Sequence, residues 1–139
     1  MQAIAHGNAY VAQIAMAGND SHTVRTLLEA EAFPGTSIII AYSHCIAHGI
    51  DMSHGASEQN IAVKSGYWPL FHFNPLKPKG QRFVIDSKEP TLPIKDFMYN
   101  ENRFKVIKAK NPDLAEQFLL QAESDRNSRW QKLQILSGL

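Results

Sequence analysis

"TSIIIAYS", residues 36–43, is the stretch that most restricts what this chain can become. Successive strand residues point to opposite faces, so three consecutive isoleucines make a strand apolar on both sides. Such a strand belongs in the middle of a parallel sheet covered by helices. The residues before it supply the rest of that unit. "AYVAQIAM" (9–16) is short, largely apolar and closed by Gly18, which reads as another buried strand. Between the two, Asn19, Asp20 or Ser21 can cap a helix. Val24, Leu27, Leu28 and the Glu31/Ala32 position recur there at helical spacing, and "FPG" (33–35) ends the run. Strand, helix, strand is a right-handed βαβ crossover, so the expected fold class is α/β, built on a partial parallel sheet.

The second half reads differently. A helix is expected from near Ser57, with Ile61 inward and Gly66 at its end. "LFHFNP" (70–75) and "RFVIDS" (82–87) form a pair of short strands joined by the turn-rich "NPLKPKG". Pro90 and Pro93 keep the next segment extended before another short helix. From Asn111 the chain is a long helix: Asn111 caps it and Pro112 sits in its first turn. Leu114, Phe118, Ala122, Trp130 and Leu133 form its apolar stripe. The mostly helical part is read as a C-terminal extension, giving a division into residues 1–70 and 71–139.

Composition excludes several classes. With 14 Lys+Arg against 13 Asp+Glu, the formal charge of +1 offers no general attraction to nucleic acid or anionic membranes. Lys77, Lys79 and Arg82 make only a small basic patch, read as a solvated turn. No apolar run reaches the roughly 20 residues of a membrane helix, and the N-terminus lacks a basic signal-peptide start. One cysteine allows no internal disulfide, in keeping with the reducing cytoplasm.

That cysteine lies in "AYSHCIAHGID" (41–51), just past the triple-isoleucine strand, where open α/β sheets gather ligands. Spacing leaves several readings open. Zinc could use His44, Cys45, His48 and His54, but structural sites usually want two spaced ligand pairs with thiolates prominent. A Cys45/His48 nucleophile would need an oxyanion hole and an orienting group, neither of which is legible. The ordinary reading is a buried thiol closing a strand. No dinucleotide or phosphate-binding glycine motif is present. Tyr67, Trp68 and Trp130 read as core or interface aromatics.

The ordered pieces "YVAQIAM", "EAEAFPG", "IIIAYSHCIAHGI", "SGYWPLF" and "YNENRF" resemble the C-terminal end of pyruvate:ferredoxin (flavodoxin) oxidoreductases, over nearly the whole chain. The resemblance implies a part of a large cytoplasmic, homodimeric enzyme that oxidatively decarboxylates pyruvate to acetyl-CoA, using coenzyme A and passing electrons to ferredoxin or flavodoxin. Residues 1–70 would be the end of its thiamine diphosphate-binding domain. Thiamine diphosphate and magnesium would bind upstream of this segment. A [4Fe–4S] cluster needs four thiolates; the resemblance implies three from upstream and Cys45 as the fourth, with His44, His48 and Gly49 around it.

No catalytic residue is carried over, since the thiamine motif and the other cluster cysteines lie outside these residues. The chain alone is thus expected to be inactive and, with an incomplete sheet, to oligomerise or aggregate. Nucleic acid and membrane are not expected partners. Two other readings stand beside this one: a truncated, non-functional remnant, and a small stand-alone metal-binding α/β module using Cys45 with His48.

Overall fold

The computed structural model describes residues 1–138. Its central strand is β1 (Tyr10–Ile14), in which every residue but Gln13 is buried. β1 pairs in parallel with β2 (Ser37–Ala41) and antiparallel with β3 (Phe71–Phe73), and β3 pairs antiparallel with β4 (Phe83–Ile85). The order is β2-β1-β3-β4. The α/β class and the βαβ unit are therefore present, but the sheet is mixed. The expected short-strand pair extends the same sheet rather than standing apart from it.

Alternation along β1 builds two cores. Val11 shares one face with Phe71, Phe73 and Phe83, packed against Trp130 and Leu133 of α6 (Pro112–Ser137) and Ile4 of α1 (Gln2–His6). Helix α1 is too short for its periodicity to be read in advance. Tyr10, Ala12 and Ile14 occupy the other face with Ile39, Phe33 and Ala30 of α2 (Asp20–Ala32). A third cluster of Ala62, Ile94, Phe97 and Met98 joins α3 (Gly55–Lys64) to α4 (Ile94–Met98). Phe104 of α5 (Asn102–Lys110) and Leu119 of α6 pack around it.

Helix α2 starts where expected: Asn19 is the cap, its Oδ1 accepting from the His22 amide at 2.9 Å. Its orientation is the reverse of the expected one. Val24, Leu27 and Leu28 are 58%, 48% and 60% exposed, while His22, Thr23 and Thr26 are buried. The inward threonines are small enough for close approach. Their hydroxyls are satisfied within the helix, Thr23 donating to the Asn19 carbonyl at 3.1 Å and Thr26 to the His22 carbonyl at 2.8 Å.

β2 likewise departs from the expected central position. Within this chain it is an edge strand, with Ile38 and Ile40 exposed, because no described strand pairs with its outer side. In α6 the Asn111 cap holds, its Oδ1 accepting from the Leu114 amide at 3.0 Å. Leu133 is buried, and Ala122 and Trp130 are partly buried as expected. Leu114 and Phe118 point outward instead, and Ala115 and Leu119 take the inner positions. Helix α3 begins at Gly55, and its most buried positions are Glu58, Gln59 and Ala62, with Ile61 only partly covered.

Candidate functional site

The loop after β2 is pinned at both ends. Tyr42 continues the ladder, its amide donating to the Ile14 carbonyl at 2.9 Å, and its ring lies edge-on to Trp68 at 5.5 Å. The Trp68 indole in turn donates to the Ile14 carbonyl at 3.0 Å. Gln59 then ties the loop to α3: its amide nitrogen donates to His44 Nδ1 at 3.2 Å, while its Oε1 accepts from the Ala17 amide at 3.0 Å. The His44 ring rests on Gly55, where a Cβ would come within 2.3 Å of Nε2. Glycine at 55 is what lets His44 lie there.

Cys45 follows with an extended backbone and caps a single 3-10 turn, Ile46–His48. Its thiol is exposed, against the reading of a buried strand-closing side chain. The physical reason is the edge position of β2: among the described residues, no strand lies on its outer side to cover the Cys45 thiol. Sγ accepts from the Ala47 amide at 3.4 Å. Gly49 closes the turn at φ 71°, in the left-handed region that glycine tolerates, with its amide on the Ile46 carbonyl at 2.9 Å.

His44, Cys45, His48 and His54 do not converge on a common point. His44 faces Gln59, and His54 Nδ1 lies 3.1 Å from Asp51 Oδ2. His48 turns toward α5, with Nδ1 3.7 Å from Glu101 Oε1. That carboxylate is almost wholly buried and is paired with Arg103. No hydrogen bond joins His48 to the Cys45 sulfur among the described residues, so neither the zinc reading nor the nucleophile reading gains a geometry.

A cleft of about 340 Å³ runs beside this loop, lined by Gly49, Glu58, Ile61, Asn100 and Lys105 among others. Glu58 is buried in its wall. Burial raises its carboxyl above the usual range, and nearby Glu101 adds to that, against a hydrogen bond from Asn100 to Oε2 at 3.1 Å.

A second polar constellation joins α2, β3 and the residue after β4, and was not read from the sequence. Asp86 Oδ2 accepts from His22 Nε2 at 3.0 Å and His72 Nδ1 at 2.7 Å, and Oδ1 accepts from Arg25 at 2.7 Å. Burial would raise the Asp86 carboxyl, but the two histidine hydrogen bonds and charges win and hold it well below the usual range. The three residues are 50 and 14 positions apart in sequence, so no spacing motif links them.

What the first loop can do chemically is limited and clear. It presents one accessible sulfur from a fixed backbone at the carboxyl end of a parallel strand pair. A single thiol is one corner of a thiolate-bound centre; it is not a whole one. The residues present fit a [4Fe–4S] cluster only in that sense.

No family model matches the chain. Among known proteins it is 47% identical, over 140 residues and 99% of its length, to a pyruvate-flavodoxin oxidoreductase from Trichormus variabilis. A pyruvate:ferredoxin oxidoreductase from Moorella thermoacetica is 40% identical over 139 residues, again 99% of the chain. A pyruvate dehydrogenase [NADP(+)] from Cryptosporidium parvum is 37% identical over 147 residues, 97% of the chain. The chain spans 12% of the length of the first two relatives and 8% of the third.

Proposed function

Because the chain corresponds over 99% of its length to a segment of the pyruvate-flavodoxin and pyruvate:ferredoxin oxidoreductase family, we propose that it serves as the C-terminal part of such an enzyme and supplies Cys45 as one thiolate of a [4Fe–4S] cluster. The enzyme as a whole would convert pyruvate to acetyl-CoA and reduce flavodoxin or ferredoxin. The observation that carries this reading is the exposed Cys45 sulfur, held just beyond β2 in a loop pinned by Gln59 and Gly49. The remaining three thiolates would come from other parts of the enzyme, as this chain has one cysteine.

When bound, the cluster would carry electrons one at a time away from the reacting centre. This chain's own residues hold the sulfur ready for it. The Ala47 amide donates to that sulfur, and hydrogen bonds to cluster sulfurs are a recognised influence on potential. His44, seated on Gly55 and bonded to Gln59, fixes the backbone before the cysteine, and the Gly49 turn fixes it after. His44 and Gly49 are thereby positioning residues, and no residue of this segment acts on pyruvate.

Residues 1–70 would belong to a thiamine diphosphate-binding domain and 71–139 to an extension whose β3–β4 hairpin widens that domain's sheet. Thiamine diphosphate and magnesium would bind elsewhere in the enzyme. The partners are then the other domains of the same enzyme in a cytoplasmic homodimer. No described helix is long and apolar enough to cross a membrane.

The test is Cys45→Ser in the complete, anaerobically purified enzyme. Loss of one cluster's electron paramagnetic resonance signal and of flavodoxin or ferredoxin reduction, with pyruvate binding retained, is the expected result. A full set of cluster signals with normal turnover would end the assignment.

A further inference from the structure

Among the described residues, His22, His72 and Asp86 are the group whose ligand atoms converge, all within 4.8 Å of one another. They come from three elements: α2, β3 and the residue following β4. The His22 side chain is 2% exposed, Asp86 6% and His72 13%. We propose that these three side chains form a binding site for a first-row divalent cation of the zinc and ferrous-iron class, separate from the Cys45 loop.

The donor set is the first argument. Two imidazoles and a carboxylate suit zinc and ferrous iron, and three protein ligands leave a position open for water. Spacing is the second. The histidine nitrogens lie 3.0 and 2.7 Å from Asp86 Oδ2. Tetrahedral ligands at zinc bond lengths sit about 3.3 Å apart, so admitting an ion opens these contacts by only about 0.3–0.6 Å. Asp86 Oδ2 is the shared atom, and Oδ1 is already occupied by Arg25.

The outer partners are the third argument. A metal-bound imidazole usually turns its other N–H toward a carboxylate. His72 Nε2 lies 3.9 Å from Glu29 Oε2, and that oxygen is oriented by the Tyr10 hydroxyl, which donates to it at 3.0 Å. His72 thus stands between two carboxylates, Asp86 at Nδ1 and Glu29 at Nε2. Bound to metal through Nδ1, a neutral ring would still hold a proton facing Glu29. Asp86 and Glu29 balance the charges of Arg25 and Lys77 around the same cleft, so the donor set and its spacing, not a net charge, are what select a cation. Access is available, since His72, Asp86, Glu29 and Arg25 all line an open cleft of about 660 Å³.

The experiment titrates Zn²⁺ alone into the chain carrying Cys45→Ser, which removes the competing thiol, after chelator treatment. One equivalent is expected to bind by calorimetry. X-ray absorption should show only nitrogen and oxygen neighbours, including imidazole, near 2.0–2.1 Å. His72→Ala should weaken binding by more than the roughly 10–100-fold that outer partners contribute, and Glu29→Gln by an amount within that range. His54→Ala, on the exposed loop, should leave binding unchanged. Where His72→Ala does not fold, as judged by circular dichroism, the absorption spectrum of the Cys45→Ser chain decides by itself. Absence of stoichiometric zinc, a shell without imidazole, or binding that survives in folded His72→Ala would overturn the site and leave a hydrogen-bonded cluster only.

Discussion

Gly49 and Asn102 are in such close contact that a Cβ on Gly49 would lie 2.5 Å from the Asn102 Cβ. This is where the loop carrying Cys45 meets the start of α5, so the sulfur's position depends on a residue 57 places away. Gly49 also sits at φ 71°. Gly49→Ala therefore incurs two separate costs, a left-handed backbone at about 1–2 kcal/mol and a steric overlap that moves the loop or α5. Hydrogen exchange should speed up at Ile46–Gly49 while the β1 amides stay protected. Unchanged loop protection would mean that Asn102 yields easily and the contact is not what fixes the loop.

The β2 edge and the outer face of α2 leave Val24, Leu27, Leu28, Ile38 and Ile40 exposed. An unpaired apolar strand edge recruits other strands. The chain alone is expected to sediment as a broad distribution of associated species. Ile38→Lys with Ile40→Lys should narrow it toward a single small species without loss of helical circular dichroism. A sharp monomer in the unmodified chain would contradict the incomplete-sheet reading.

How far the sequence could be read follows from which forces act locally. The two strands around α2, the Asn111 cap and the hairpin at 70–87 were all legible, because each depends on residues within a few positions. The inner face of α2 was not. Val24, Leu27 and Leu28 form one helical stripe and Thr23, Thr26 and Ala30 another. Hydropathy ranks the first higher, although the threonine hydroxyls bond their own helix and bury at little cost. The place of Cys45 after a strand was legible, whereas its exposure depends on β2 being an edge. The His22–Asp86–His72 cluster depends on the β1–β3–β4 register, which no local pattern encodes.

Asp86 holds α2 against the hairpin through His22, His72 and Arg25. Asp86→Asn removes the charge while keeping the shape, leaving Arg25 and the histidines without their common anion. Losing a charged hydrogen-bond acceptor costs about 1.5–3 kcal/mol. Arg25, more than half exposed, contributes little of that. Urea unfolding in metal-free buffer should show a fall of this order at neutral pH. A loss below about 1 kcal/mol would place the network among surface ion pairs.

Glu58 makes stability depend on pH. Burial raises its carboxyl, Glu101 pushes the same way, and the Asn100 hydrogen bond only partly offsets them. The folded chain therefore keeps this proton to higher pH than the unfolded chain does. Below the ordinary glutamate range both states are protonated and the group is neutral in its effect. As pH rises from there through the raised folded value, the unfolded state sheds its proton first, and stability falls until both are ionised. Glu58 also lies in the first turn of α3, where the helix end favours a negative charge by about 0.3–1 kcal/mol, so burial must exceed that. Glu58→Gln keeps an oxygen for Asn100 and removes the charge. It should match the unmodified chain at pH 4 and unfold at higher urea at pH 8, measured on otherwise identical samples. Equal midpoints at pH 8 would mean that water and the helix end solvate the carboxylate in place, and that its burial carries no penalty.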